Sequence, residues 1–97
     1  MSAYLIFQAE VLDPDRYEQY KIAAARTVVA AGGRYIVRGG DVVTLEGEAP
    51  VGRTVVLEFP TMQVALDWYH SDEYGEARRL RDGAARARVF LVDGINT

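Results

Sequence analysis

Apolar and polar residues alternate from Ala3 to Val11, with Leu5, Phe7, Ala9 and Val11 on one parity and Tyr4, Ile6, Gln8 and Glu10 on the other. A period of two predicts a strand with one wholly apolar face and one mixed face. The period then lengthens. Asp13-Pro14-Asp15 reads as N-cap, first helical residue and dipole-matched acid, and Tyr17, Tyr20, Ala24, Val28 and Ala31 recur at helical spacing up to Gly32. Gly32-Gly33 ends this helix, and Gly39-Gly40 supplies a tight turn after a strand at Tyr35 to Val37. Asp41 to Glu46 reads as an antiparallel return or an irregular edge, and Gly47 to Gly52 as a loop. Arg53 to Phe59 alternates again, placing Val55, Leu57 and Phe59 opposite Thr54, Val56 and Glu58. Pro60-Thr61 stops the strand and caps a helix with a Met62, Ala65, Leu66, Tyr69 stripe. Ser71 caps a second short helix from Asp72 to about Arg81, with a bend at His70-Ser71-Asp72. Ala87 to Asp93 is the last strand, with Val89, Leu91 and Asp93 opposite Phe90 and Val92.

This order predicts an α+β fold of the ferredoxin-like βαββαβ kind, an antiparallel sheet with two helices on one face. The face left over collects Tyr4, Ile6, Val56, Val89 and Leu91 beside Gln8, Glu10 and Glu58. Such a face is too apolar for water, so a homodimer with facing sheets is expected.

Composition narrows the function. The 97 residues, 49% of them hydrophobic, fit one domain spanning 1–97, able to bury roughly 60–65% of its unfolded surface. Acids outnumber bases, 14 Asp and Glu against 11 Lys and Arg, for a net charge of −3. Nucleic acid and anionic membranes, which need a basic face, are therefore not expected partners. With no Cys there is neither a disulfide framework nor a thiolate site. The N-terminus runs into the strand pattern without a basic segment, and no apolar run approaches the ~18 residues of a membrane span. A cytoplasmic location is expected.

Several ordered segments carry a family resemblance: Gly-Gly-Arg-Tyr-Ile-Val-Arg-Gly-Gly at 32–40, Leu-Glu-Gly at 45–47, Glu-Phe-Pro at 58–60 and Trp-Tyr-His-Ser-Asp-Glu-Tyr at 68–74. From Tyr4 to Gly94 the chain resembles the domain of unknown function 1330 family. The resemblance implies membership of the dimeric α/β-barrel superfamily, in which two ferredoxin-like sheets pair into a barrel. Relatives there include cofactor-independent monooxygenases, isomerases, haem-handling enzymes and amino-acid-sensing regulators. It transfers fold and dimerisation, and no catalytic residue.

The candidate chemistry comes from the residues. His70 is the one histidine and the one side chain whose ordinary pKa suits proton transfer near neutrality; its structural alternative is to serve the end of a helix. Arg34 and Arg38, four apart on a strand, are expected on the same face as a carboxylate or phosphate clamp, or else paired with surface acids. Glu46 and Glu58 are candidate bases or partners of those arginines. Tyr35, Trp68, Tyr69 and Tyr74 line an aromatic pocket, or else Tyr69 joins the core stripe and Trp68 a dimer seam. Arg81 shares the helix side that turns toward the pocket. The glycine pairs lack the context of a phosphate loop, and His70, Asp72 and Glu73 lack metal-ligand spacing, so no cofactor and no metal is expected.

Three readings follow. The first is binding of a small acidic or aromatic metabolite between the sheet and the second helix. The second is a cofactor-independent enzyme, monooxygenase- or isomerase-like, with His70 or a glutamate such as Glu58 moving a proton. The third is a non-catalytic dimeric interaction module.

Overall fold

The computed structural model describes residues 1–95. In chain order the elements are β1 (Ala3–Val11), α1 (Pro14–Ala30), β2 (Arg34–Arg38), β3 (Arg53–Phe59), α2 (Met62–Tyr69), α3 (Asp72–Arg79) and β4 (Ala85–Asp93). The four strands form one antiparallel sheet in the order β2-β3-β1-β4, the ferredoxin-like arrangement.

The caps explain where the helices begin. The Asp13 carboxylate accepts from the Arg16 amide, the Thr61 hydroxyl from Val64 and the Ser71 hydroxyl from Tyr74, each satisfying a first-turn N–H that has no partner inside the helix. At the far end of α1 the amides of Gly32 and Gly33 return to the carbonyls of Val29 and Val28, the paired bonds of a Schellman close. The bend expected at His70-Ser71-Asp72 divides the second helical region into α2 and α3, so three helices cover the sheet.

The core lies between the helices and one sheet face. Leu5, Phe7 and Ala9 of β1 and Val55, Leu57 and Phe59 of β3 meet Tyr17, Tyr20, Ala24 and Val28 of α1, Ala65 and Trp68 of α2, and Tyr74 and Ala77 of α3. Within α2 the buried positions are Ala65 and Trp68, while Leu66, expected in the stripe, is exposed. Trp68 is therefore a core residue and not part of a dimer seam.

Of the two readings of segment 41–46, the irregular one holds: it forms no strand and is exposed, and Glu46 sits in it. One expectation is overturned. In β4 the faces are opposite to the assignment from alternation. Leu91 stands across from Leu5 and Val89 across from Phe7, so both pack on the core, while Phe90 and Val92 face outward. Four consecutive apolar residues leave the parity of this strand open; its pairing with β1 settles it.

The outer sheet face has an apolar centre and polar ends. Ile6 lies between Val56 and Phe90, with Val92 beyond. At one end Tyr4 and Arg34 both donate to Glu58; at the other Arg88 donates to Gln8 and Arg86 lies 3.7 Å from Glu10. No helix among the described residues is long and apolar enough to cross a membrane.

Candidate ligand site

A single irregularity in β2 builds the site. Arg34 pairs with Glu58 and Tyr35 with Leu57, but Val37 pairs with Val56 and Arg38 with Val55, so Ile36 is a bulge residue without a partner of its own. One extra residue inverts the alternation beyond it. Arg34 consequently sits on the outer face beside Glu58, and Arg38 on the core side with Val55. The expected same-face clamp of Arg34 and Arg38 does not form; the bulge separates them.

On the core side Arg38 stacks over the Tyr35 ring, its guanidinium carbon 4.2 Å from the ring centroid. It borders a small cavity between the sheet and α1, together with Arg53, Lys21 and a wall of Phe7, Tyr17, Tyr20, Tyr35, Trp68 and Tyr74. The cavity is small, about 30 Å³. Packing sets the wall: Trp68 meets Tyr74 at 4.1 Å and Phe59 at 5.2 Å between ring centroids, and its indole N–H donates to the Thr27 hydroxyl. At the inner end the Tyr20 and Tyr74 hydroxyls are 2.8 Å apart, tying α1 to α3.

The charges around the cavity are unusual for an acidic chain. The ion pairs among the described residues are Lys21 with Glu18, Arg34 with Glu58 and Arg86 with Glu10. Arg38, Arg53 and Arg81 have none, and face aromatic rings. Arg53 lies 5.7 Å from the Tyr17 centroid, and Arg81, in the turn after α3, lies 5.3 Å from Phe7 and 5.4 Å from Tyr20. The Nε atoms of Arg53 and Arg81 are buried without a hydrogen-bond partner. Gly39, at φ +75°, makes room for Arg53: a Cβ there would come within 2.7 Å of a guanidinium nitrogen.

Protonation follows from these surroundings. Burial pushes the Tyr20 phenol far above its ordinary value, with Tyr74 adding to the shift. Burial also raises Tyr17 and Tyr35, against the pull of Arg53 and Arg81 on the first and of Arg38 on the second. These phenols are neutral donors near neutral pH. Burial works against the charge of Arg81, but the Tyr74 and Tyr20 hydroxyls outweigh it and the net shift is upward.

Of the residues singled out in the sequence, the structure brings Tyr35, Arg38, Trp68 and Tyr74 to the cavity. Arg81 reaches its inner aromatic wall from a turn rather than from a helix face, since α3 ends at Arg79. Tyr69 is half-buried beside Tyr74, its hydroxyl bound by Arg78. The other three lie elsewhere. Arg34 and Glu58 are on the outer face, where Arg34 and Tyr4 hold the Glu58 carboxyl below its ordinary value despite partial burial. His70 is the exposed C-cap of α2, its ring edge-on to Tyr69, and no buried carboxylate faces it, for no polar or charged residue is buried among the described residues. His70, Asp72 and Glu73 do not gather as metal ligands.

Tyr17, Tyr20, Lys21 and Arg53 were not among the sequence candidates. A signal existed for the first two: a tyrosine on a core stripe carries a hydroxyl that must find a partner. For Arg53, at the first position of a strand, no sequence signal distinguishes it from a solvent-facing end residue.

The family model described as a domain of unknown function (DUF1330) matches residues 2–95. No match was found among curated proteins. A protein of unknown function from Rhodopseudomonas palustris has 16% identity and a TM-score of 0.75, with 99% of this chain and 84% of that one covered. SnoaB, a cofactor-independent oxygenase from Streptomyces nogalater, has 11% identity and a TM-score of 0.64 over 99% of this chain and 95% of its own. Rv0793 from Mycobacterium tuberculosis has 12% identity and a TM-score of 0.62, over 100% and 98%. At such identities the likeness establishes the fold.

Proposed function

Since this chain belongs to the domain of unknown function 1330 family, we propose from its own cavity that it binds a small acidic or aromatic molecule between the sheet and the helices, as a homodimer. The observation that carries this reading is the convergence at one place of the rings of Tyr17, Tyr20, Tyr35, Trp68 and Tyr74 with Arg38 and Arg53. A largely aromatic concavity with a few placed polar groups is the usual form of a small-molecule site. The dimer uses the outer sheet face. Its centre of Ile6, Val56, Phe90 and Val92 is apolar, and its ends are already paired internally, which suits a second copy better than water.

The fold shared with SnoaB keeps an enzyme as the second reading. Its proton carrier would not be His70 or Glu58 acting within this cavity, because neither lines it. The groups available there are the Tyr20 and Tyr74 phenols with Arg81 behind them.

A crystal structure of the protein as purified tests the binding reading. Density for a small organic molecule against Arg38 and Tyr35 is expected. A cavity closed by its own side chains, with no ligand density after soaking in aromatic acids and phenols, would move the account to an interaction module.

A further inference from the structure

We propose that the cavity takes a single-ring aromatic carboxylate bearing an oxygen substituent opposite its acid group, with the carboxylate at the mouth on Arg38 and Arg53 and the oxygen inward at Tyr20 and Tyr74. This rests on reading the cavity as the binding site, and it adds the ligand's class and orientation.

The carboxylate is argued from charge. A buried guanidinium donor without an acceptor is costly, and here Arg53 Nε is one, in a chain with acids to spare. Arg38 stands opposite Val55, and Arg53 lies two residues from Val55 on the same face. Such diagonal neighbours have Cβ atoms ~7–8 Å apart, within the span of two long side chains closing on one carboxylate. Glu18, a carboxylate that feels both Arg53 and Arg38, is exposed and already bonded to Lys21.

The ring and its size follow from the walls. Tyr35 lies under Arg38 and Tyr17 under Arg53, so the entrance has two aromatic faces. A cavity of roughly 150 Å³ accepts one benzene ring. At about 30 Å³ the cavity as it stands is too small for one ring. Entry therefore requires Arg38 to leave Tyr35. Arg38 is exposed, follows the bulge and precedes Gly39 at φ +75°, so little packing opposes that swing.

The inner oxygen follows from a proton count. Two hydroxyls bonded to each other use one of their two protons, so the Tyr20–Tyr74 pair retains one O–H donor and free lone pairs. Both residues line the cavity, and the Arg81 guanidinium beside Tyr20 favours an oxygen carrying partial negative charge.

The experiment is calorimetric titration at low salt with 4-hydroxybenzoate, benzoate and the neutral 4-hydroxybenzamide, with fluorescence of Trp68, the single tryptophan, as a second readout. The proteins are wild type, Arg38→Gln, Arg38→Lys and, as a control away from the cavity, Arg26→Gln. The hydroxy acid should bind tightest, benzoate several-fold weaker, and the amide on the order of tenfold weaker or worse. Arg38→Gln should weaken both acids about tenfold without moving the amide, Arg38→Lys should recover part of the loss, and Arg26→Gln should change nothing. Equal binding of acid and amide, insensitive to Arg38 but still changing Trp68 emission, would overturn the carboxylate class while leaving the cavity as a site. No heat and no Trp68 response with any probe would overturn both.

Discussion

The Tyr20 hydroxyl lies 2.8 Å from the Tyr74 hydroxyl, a buried bond between residues 54 positions apart that joins the long helix α1 to the short helix α3. Both side chains are buried, so removing one hydroxyl costs the other its tyrosine partner in a place water reaches poorly. Tyr20→Phe and Tyr74→Phe should each lower stability by about 1–3 kcal/mol, and the double variant by clearly less than the sum. Urea unfolding of the four proteins closes that cycle. Additive losses would mean that the two hydroxyls do not depend on each other.

This bond also marks the boundary of what was legible in the chain. The strand β3 and the caps Asp13, Thr61 and Ser71 follow from local rules, alternation and first-turn donors, and were read correctly. The faces of Arg38, Val89 and Leu91 were not. Alternation assumes an unbroken register, which the bulge at Ile36 violates, and it assigns no parity to a run such as Val89 to Val92 where every residue is apolar. The candidate site was half visible for the same reason. Tyr35, Trp68 and Tyr74 belonged to recognisable aromatic positions, but Tyr20 and Arg53 become site residues only through contacts with Tyr74 and Tyr17 that are distant in sequence.

Glycine positions separate by what lies beside them. A Cβ on Gly52 would stand 1.9 Å from the Ala9 carbonyl oxygen, at φ +78°, whereas one on Gly40 meets nothing within 4 Å. Gly52→Ala should therefore cost more than the roughly 1 kcal/mol of an ordinary left-handed glycine, because β3 would have to move off β1. Gly40→Ala should fall within about ±0.5 kcal/mol of wild type. Thermal melts of the two variants give the comparison; similar melting points would contradict the close approach.

Glu58 supplies a pH dependence. Its carboxyl is held below the ordinary 4.5 by the Arg34 hydrogen bond first and by Tyr4. A depressed folded-state pKa contributes stability that is present above the ordinary value and lost as pH falls through the lowered one. Between pH 5 and the lowered pKa, Glu58→Gln should thus show a shallower fall in stability than wild type, measured by denaturant midpoints. Parallel curves would show that Glu58 gains nothing from its partners.

The proposed dimer places Phe90, which is 49% exposed in the isolated chain, at the centre of an apolar contact with Ile6 beside it. A buried carboxylate at that point would be unpaired. Light scattering should give wild type the mass of two 10.8 kDa chains and Phe90→Asp the mass of one. A monomeric wild type at micromolar concentration would remove the dimer from the account.

The ligand's location separates a cavity site from the outer sheet face. Nuclear magnetic resonance of amide-labelled protein titrated with 4-hydroxybenzoate reads that location directly. Shift changes should concentrate at Tyr35, Arg38, Gly39, Arg53 and Tyr74, which surround the cavity, and be lost in Arg38→Gln at the same concentrations. Changes confined to the outer face around Glu58 and Phe90, or none at all, would contradict it.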